Sequence, residues 1–229
     1  MNSSVVPSRR PYLGRGASVE RCESCFLRVD KCICELQSAV PAQVEFCLLT
    51  HNDEIYKPSN TGRLIRDSIA GTRRFIWHRK EADPELLALI QNPQVNAYIV
   101  FPPGDDYSER MTGFSSQSGK RSVFIVLDGT WRQARRMFRL SEYLQGLAVI
   151  SLKSVPVSRY GLRKAIHDNQ LCTAEVAIAL LDEIGDQAAS VHLQSYFDTF
   201  TARYLETRSQ NVAPELVAGN GGDSGVLPG

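Results

Sequence analysis

The stretch Val123-Phe124-Ile125-Val126-Leu127-Asp128-Gly129-Thr130-Trp131 is a continuous apolar run that ends in an acidic residue and a glycine. A short apolar run of this kind, bounded by a turn signal, predicts a strand that is buried on both faces. Thr130 is a favoured N-cap residue, so a helix is expected to begin directly after it. In open parallel sheets, ligands bind at the carboxyl ends of the strands, where Asp128 would stand. The alternative interpretation is that Asp128 merely caps the helix.

Similar apolar runs recur along the chain and alternate with segments of helical spacing. Further strands are predicted over residues 44–50, 97–101 and 147–152. Helices are predicted through Leu64 to Ile69, from Asp83-Pro84-Glu85, from Thr173 and over residues 190–206. Strands that alternate with helices are typical of an α/β protein with a mainly parallel sheet. Two long polar stretches, residues 102–121 and 153–170, are expected to be loops that are either functional or mobile.

The composition is that of a folded globular chain, with 43% hydrophobic and 22% charged residues, and it excludes a disordered protein. The 229 residues suffice for one domain of moderate size with a small appendage. We expect a flexible arm over residues 1–20, a cysteine-rich module over 21–40, a main domain over 41–208 and a flexible tail over 209–229. No apolar run approaches the length of about 20 residues that spans a bilayer. Residues 1–16 contain no apolar signal segment, which favours a cytoplasmic location.

The charge is unevenly distributed, although its formal net value is only +1. Basic residues outnumber acidic ones up to residue 180, and acidic residues predominate after it. This distribution fits a surface that binds a polyanion such as nucleic acid. The helix expected after Thr130 carries Arg132, Arg136 and Arg139 along one face. Such a stripe is usually a solvated face, but beside a functional site it can hold phosphates.

Four of the six cysteines lie within thirteen residues, as Cys22-x2-Cys25-x6-Cys32-x-Cys34. In a reducing compartment this density favours a metal site over disulfides. Four thiolates complete a closed tetrahedral zinc site, and the neighbouring Arg and Lys side chains would offset its negative charge. The alternative is a redox or simply reduced cysteine patch. Cys47 alternates with apolar residues in a predicted strand and is expected in the core.

Two more polar motifs follow predicted strands. The first is His51-x2-Glu54-x5-Asn60-Thr61-Gly62-Arg63, which begins where the strand over 44–50 ends. The second is Ser158-x-Tyr160-x-Leu162-Arg163 together with Cys172-Thr173-x-Glu175 at the start of a helix. Dense polar residues after a buried strand suggest a binding site, and a helix N-terminus offers amide donors to an anion. The alternative is that the histidine is structural and that the other residues cap helices.

In this order, the four motifs resemble those of the DTW-domain proteins, over about residues 22–205. The resemblance implies a tRNA-uridine aminocarboxypropyltransferase. Such an enzyme moves the 3-amino-3-carboxypropyl group of S-adenosylmethionine to N3 of a uridine and releases methylthioadenosine. It also implies a knotted fold related to the SPOUT methyltransferases. This chain departs from the family pattern at Asn52, where Pro is frequent, at Cys172, where Ser is common, and at Ala174 and Val176.

The resemblance and the chemistry together predict the site residues. The catalytic residues are predicted to be Asp128, as the base, with Thr130 and Trp131. The residues predicted to bind S-adenosylmethionine are Phe101, Pro102, Leu127, Gly129, Tyr160, Leu162, Arg163, Cys172, Thr173 and Glu175. The residues predicted to bind the tRNA substrate are His51, Glu54, Asn60, Thr61, Arg63, Arg132, Arg136 and Arg139. The predicted zinc ligands are Cys22, Cys25, Cys32 and Cys34.

Two other functions compete with this prediction. One is an RNA methyltransferase of the SPOUT-like class, which would use the same donor and break another bond. The other is a non-catalytic zinc-containing RNA-binding protein in which the polar motifs are caps and core hydrogen bonds. The zinc module either extends the RNA-binding surface or acts as a structural staple. No obligate protein partner is inferred.

Overall fold

The computed structural model describes residues 19–116, 119–154, 158 and 171–210, with the backbone alone for 208–210. Within these residues, five strands form one sheet. They are β1 (Glu45–Thr50), β2 (Arg73–Ile76), β3 (Val95–Val100), β4 (Arg121–Asp128) and β5 (Ala148–Ile150). Each pair of neighbouring strands is parallel. The predicted α/β class is therefore confirmed.

The strand order β2-β1-β4-β3-β5 determines where a site can form. From β1 the chain goes on to β2 on one side, whereas from β4 it goes on to β5 on the other side. The crevice between the carboxyl ends of β1 and β4 is thus the switch point at which open α/β sheets bind ligands. The register pairs Thr50 with Asp128, so the last residues of both strands meet at this point.

Four of the strands were predicted to within a few residues, and β2 was missed. Its sequence is Arg73-Arg74-Phe75-Ile76, which has two charged residues in four positions. β2 is an edge strand that pairs with β1 alone, so it needs no continuous apolar run. Arg73 forms an ion pair with Glu45 on β1 at 3.0 Å, which the sequence pattern does not reveal.

Five α-helices cover the two faces of the sheet among the described residues. They are α1 (Gly62–Ser68), α2 (Pro84–Gln91), α3 (Trp131–Leu140), α4 (Thr173–Glu183) and α5 (Gln187–Gln210). The predicted helix starts of α2, α3 and α4 are confirmed. Asp83 caps α2 by accepting the amide of Glu85, and Pro84 occupies the first turn. α5 begins three residues before the predicted range and ends four residues after it.

The helices divide into two layers because alternate strand residues point to opposite faces. Phe46, Leu48, Phe124 and Val126 face one layer, which contains α1, α4 and α5. Cys47, Leu49, Ile125 and Leu127 face the other layer, which contains α2 and α3. Cys47 is completely buried, as predicted. The helix after β1 and the helix after β4 thus leave the switch point on opposite faces.

The cysteine-rich segment packs against the first of these layers. Cys25, Leu27 and Ile33 belong to the same buried cluster as α1, α4 and α5. Lys31 also forms an ion pair with Glu206 near the end of α5, at 2.6 Å. The segment therefore shares the core of the sheet. Among the described helices, none has the length and apolar character needed to cross a bilayer.

Candidate functional site

Asp128 lies at the end of β4 and is only 1% exposed. Its carboxylate accepts hydrogen bonds from the Thr50 hydroxyl at 3.1 Å and from the Thr173 hydroxyl at 2.8 Å. The Asn60 amide donates to both carboxylate oxygens, at 2.9 and 3.0 Å. Burial raises the pKa of Asp128, while these donors favour the ionised form. The cap of α3 is Thr130, so the alternative role of Asp128 as a helix cap is not observed.

The loop before α1 is shaped to fit this carboxylate. Asn60 and Thr61 are buried, and Gly62 begins the helix directly against Asp128. A Cβ atom on Gly62 would lie 2.6 Å from Asp128 Oδ2, closer than any contact that real structures tolerate. Only glycine therefore fits between the start of α1 and the carboxylate. This explains why the Asn-Thr-Gly sequence follows β1.

The start of α4 also contacts Asp128. Thr173 donates to Asp128, and the amide of Ala174 donates to Thr61 Oγ1 at 3.2 Å. Cys172 and Glu175 form a capping box, in which the Cys172 amide donates to the Glu175 carboxylate at 2.8 Å. The Ser158 hydroxyl also donates to Glu175 at 2.8 Å, which joins the two halves of the motif that runs from Ser158 to Glu175. Burial raises the pKa of the Cys172 thiol.

His51 and Glu54 follow β1 but occupy different environments. His51 Nδ1 accepts the Asp53 amide at 3.2 Å, so Nε2 carries the proton in the neutral ring. Burial lowers the pKa of His51, and its ring stacks on Trp77 with centroids 5.5 Å apart. Glu54 is completely buried and pairs with Lys57 at 2.5 Å. Glu54 therefore supports the loop after β1 from the protein interior.

The start of α3 is fixed by a capping box that Thr130 forms with Gln133. The Gln133 amide donates to Thr130 Oγ1 at 3.3 Å, and the Thr130 amide donates to Gln133 Oε1 at 2.8 Å. Gln133 Nε2 also lies 3.2 Å from His51 Nδ1, which links the motif that begins at His51 to the Asp-Gly-Thr-Trp motif. Thr130 therefore holds the helix start in place, and the half-buried Trp131 follows it.

A cavity of about 300 Å³ adjoins this cluster at the carboxyl edge of the sheet. It is lined by six of the predicted site residues: Phe101, Pro102, Leu127, Gly129, Trp131 and Thr173. Other lining residues, such as Val100, Val126, Ala134 and Val176, were not predicted. Phe101 is held by stacking on Phe138, with ring centroids 4.2 Å apart. The lining is largely apolar, and Thr173 joins it to Asp128.

The four clustered cysteines meet in space. Their sulfur atoms all lie within 4.8 Å of one another, with Cys22 to Cys34 at 3.5 Å and Cys25 to Cys32 at 3.7 Å. Tetrahedral zinc–thiolate bonds of about 2.3 Å place sulfur atoms about 3.8 Å apart. The arrangement therefore fits a metal ion with four thiolate ligands, and none of these cysteines forms a disulfide.

Arg63 is only 4% exposed, although it was predicted to bind the substrate. Its guanidinium donates to the carbonyl oxygens of Cys25 and Lys57 and lies over the Phe26 ring. It therefore supports the protein interior. Tyr160, Leu162 and Arg163 lie outside the described residues.

The exposed face of α3 is basic. Arg132, Arg136 and Arg139 are exposed, and Arg135, which was not among the predicted residues, is exposed beside them. Across the described part of the chain, none of these four arginines forms an ion pair. Arg136 also contributes to the lowered pKa of His51, which places its charge near the site.

The DTW domain family matches residues 19–205, most of the chain. The chain belongs to the DTW-domain family. It is 26% identical over 170 residues to a Drosophila melanogaster protein named tRNA-uridine aminocarboxypropyltransferase 2. That match covers 70% of this chain and 65% of the relative, slightly less than two thirds of it. No solved structure matches the chain significantly.

Within this DTW domain, three functional neighbours were missed by sequence reasoning. Thr50 donates to Asp128, Gln133 approaches His51, and Trp77 stacks on His51. Gln133 carried a readable signal, because Thr130-x-x-Gln133 is a capping-box sequence. Trp77 follows the missed strand β2, so nothing local connected it to the site.

Proposed function

We propose that this DTW domain transfers the 3-amino-3-carboxypropyl group of S-adenosylmethionine to N3 of a uridine in tRNA, forming acp3U and methylthioadenosine. Family membership and the name of the fly relative support this proposal. The structural observation that carries it is the junction of Asp128 with the apolar cavity through Thr173. A carboxylate of raised pKa beside a ligand-sized cavity is typical of an active site.

The donor molecule is assigned to the cavity. The aromatic and aliphatic side chains of Phe101, Pro102, Leu127 and Trp131 suit an adenosine group, and a volume of about 300 Å³ lies at the lower end for small-molecule sites. Bound S-adenosylmethionine would supply a γ-carbon made electrophilic by its sulfonium. The protein must align this carbon, and not the methyl group, with the incoming nucleophile.

Asp128 is assigned as the general base. The uridine N3–H proton passes to the carboxylate, the N3–Cγ bond forms, and the Cγ–sulfur bond breaks with its electrons left on sulfur. Asp128 is buried behind the cavity, and the Thr173 hydroxyl both lines the cavity and donates to Asp128 Oδ1. We therefore assign Thr173 to relay the proton. Thr130, in its capping box, keeps Trp131 at the cavity wall.

The RNA is assigned to the surface beside this cavity. The target uridine must leave its stack to expose N3, which single-stranded loops permit most easily. Neutral His51, with Nε2 protonated, can donate a hydrogen bond to a base, and Trp131 offers a ring on which a base can stack. Arg132, Arg135, Arg136 and Arg139 would contact phosphates, which position an RNA without reading its sequence.

The proposal also includes the identity of the metal at the cysteine cluster. Zinc is the metal proposed for Cys22, Cys25, Cys32 and Cys34, because four thiolates suit it and it would supply structure without redox chemistry. The SPOUT-like knot and the cytoplasmic location stay predictions. So does the assignment of Tyr160, Leu162 and Arg163 to the donor.

The test is transfer with two separately labelled donors. The purified protein is incubated with unmodified tRNA and S-adenosylmethionine labelled either in the aminocarboxypropyl chain or in the methyl group. The digested nucleosides are then identified by mass spectrometry. We expect label on uridine from the aminocarboxypropyl chain alone. Label from the methyl group would identify a methyltransferase, and tRNA binding without transfer of either label would identify a non-catalytic RNA-binding protein.

A further inference from the structure

Arg63 connects the cysteine cluster to the loop that holds Asp128. Its Nη1 donates to the carbonyl oxygen of Cys25, a member of the cluster, at 3.1 Å. Its Nη2 donates to the carbonyl oxygen of Lys57. The guanidinium carbon also lies 4.1 Å from the centre of the Phe26 ring, in a cation–π contact. A single buried side chain thus binds both segments.

On the side of the active site, Arg63 holds the loop between Lys57 and Gly62, because it follows this loop in sequence and bonds to its first residue. The carbonyl of Lys57 accepts the Arg63 guanidinium and also the amide of Asn60, the latter at 3.0 Å. Asn60 donates to both oxygens of Asp128, and Gly62, the residue before Arg63, packs against the same carboxylate. A shift of the Arg63 side chain would therefore move Asn60 and Gly62, which orient Asp128.

On the side of the cysteine cluster, the contacts of Arg63 depend on a strained turn. Phe26 has a φ of 60°, a left-handed conformation that non-glycine residues adopt only when their surroundings require it. The turn is closed by hydrogen bonds from the Phe26 amide to the Cys22 carbonyl and from the Cys22 amide to the Leu27 carbonyl. Binding of one metal ion by Cys22 and Cys25 would hold the two ends of this turn together. Without the metal, the strain favours relaxation.

The charge of Arg63 suits a position between two anionic centres. Across the described residues, no carboxylate lies within ion-pair distance of it. Arginine is charged at neutral pH, and both Asp128 and Cys25 lie close enough to its guanidinium to interact with it electrostatically. A zinc ion with four thiolates carries a net charge of −2 and would strengthen this effect. A neutral side chain of similar length would lose both the electrostatic and the hydrogen-bonding contribution.

We propose that Arg63 is a positioning residue through which metal binding at the four cysteines sets the geometry of the Asn60–Gly62 loop and of Asp128. The consequence for activity rests on the function proposed above, whereas the structural link does not. In this arrangement the metal stabilises the turn at Phe26, the turn holds Arg63, and Arg63 holds the loop. The cysteine cluster thus contributes to the active site without contacting the substrate.

The test is hydrogen exchange of the full-length protein, followed by mass spectrometry, with zinc bound and after chelation. We expect chelation to accelerate exchange of the amides over residues 57–65 at least tenfold, at a temperature at which strand β3 stays protected. In Arg63→Met the same amides should exchange rapidly with zinc bound and change little on chelation. Arg66→Met is the matched control, because Arg66 lies on the same helix, contacts Asp67 and should behave like the unmodified protein.

Several outcomes would overturn the proposal. They are failure of the protein to bind zinc, equal exchange over residues 57–65 with and without zinc, and a chelation response in Arg63→Met as large as in the unmodified protein. Should Arg63→Met not fold, Phe26→Leu removes the ring that lies beneath the guanidinium and that also meets the Tyr56 ring edge to face. With zinc bound, this variant should also exchange faster over residues 57–65, and unchanged exchange would refute the link.

Transfer kinetics separate this proposal from the proposed function. In a variant that still binds zinc, loss of a positioning residue should lower kcat more than it raises the KM for S-adenosylmethionine. A protein that transfers no group, yet shows zinc-dependent exchange that requires Arg63, would refute the function and support the link. A protein that transfers the group, but whose hydrogen exchange does not depend on zinc, would support the function and refute the link.

Discussion

At the scale of single residues, Asp128 is the group on which the proposed chemistry depends most. Replacing it by Asn keeps its size but removes the negative charge that accepts the N3 proton. Because general base catalysis typically contributes at least about 100-fold, we expect Asp128→Asn to reduce the transfer rate by about that factor or more. Binding of S-adenosylmethionine should change little, since Asp128 lies behind the cavity and does not line it. Single-turnover transfer assays and calorimetric titration measure the two effects.

Asp53→Asn is the matched control for that substitution. Asp53 is the exposed acidic residue beside His51, with a side chain that is 71% accessible. The charge removed is the same, but no contact to Asp128 is lost. Transfer by Asp53→Asn should stay within a few-fold of the unmodified protein. Equal losses in both variants would mean that the general field of the site, and not the base, explains the effect.

The raised pKa of Asp128 also predicts a dependence of stability on pH. Folding raises this pKa above its ordinary value of 3.8, so the folded chain binds the proton more tightly than the unfolded chain. The contribution of this group is therefore most favourable below pH 3.8 and is lost as the pH rises through the folded pKa. Urea unfolding at a series of pH values should show this loss in the unmodified protein and not in Asp128→Asn. A difference between the two that is constant with pH would contradict it.

At the scale of secondary structure, the start of α1 separates helix propensity from tertiary fit. Alanine in a helix is favoured over glycine by up to about 1 kcal/mol, so propensity alone predicts that Gly62→Ala is stabilising. The structure predicts the opposite, because the added methyl group would lie 2.6 Å from the buried Asp128 carboxylate. We expect this variant to be less stable and to lose at least about tenfold in transfer rate, through a displaced base. Thermal unfolding and transfer assays are the measurements.

Gly146→Ala serves as the comparison for Gly62→Ala. A Cβ atom at Gly146 meets nothing within 4 Å, and this glycine lies before β5 at the opposite edge of the sheet from Asp128. The Gly146→Ala variant should keep both the thermal stability and the transfer rate of the unmodified protein. If Gly62→Ala behaves in the same way, the close contact with Asp128 is relieved without consequence, and glycine is not required at this position.

The same scale shows what the sequence could and could not predict. β4 and α3 were predictable, because a buried parallel strand and a capped helix leave local patterns in the residues that form them. β2 was missed because an edge strand needs little apolar sequence. The burial of Arg63 and Glu54 was missed for another reason: their partners are backbone carbonyls and a lysine, and a motif records only residue types. The motifs showed which residues lie near the site, but only the fold shows which of these side chains are buried.

At the scale of the whole molecule, the cysteine cluster should contribute to global stability. Cys25, Leu27 and Ile33 belong to the main core, so release of a metal would expose more than a surface loop. Metal present at about 1,000 times its Kd stabilises a protein by about 4 kcal/mol, which for this size corresponds to about 8–16 °C in Tm. We expect chelation to lower the Tm by that amount. Zinc should restore it and magnesium should not, because magnesium prefers oxygen ligands. An unchanged Tm would show that the cluster holds no stabilising metal.

The distribution of charge over the whole molecule leads to a prediction about RNA affinity. The exposed arginines belong to α3, the helix whose Trp131 and Ala134 line the cavity. Arg73, Lys120 and Arg121 lie instead at the amino edge of the sheet, on the opposite side from Asp128. Each phosphate contact contributes about 0.7–0.9 to the slope of log affinity against log salt concentration. Substituting Arg132, Arg136 and Arg139 by Gln should therefore reduce the slope for tRNA binding by about 2 to 3. Substituting Arg73, Lys120 and Arg121 by Gln removes the same charge and should leave the slope nearly unchanged. Equal changes in both triple variants would mean that net charge attracts the RNA, and a change confined to the second would place the RNA on the other edge of the sheet.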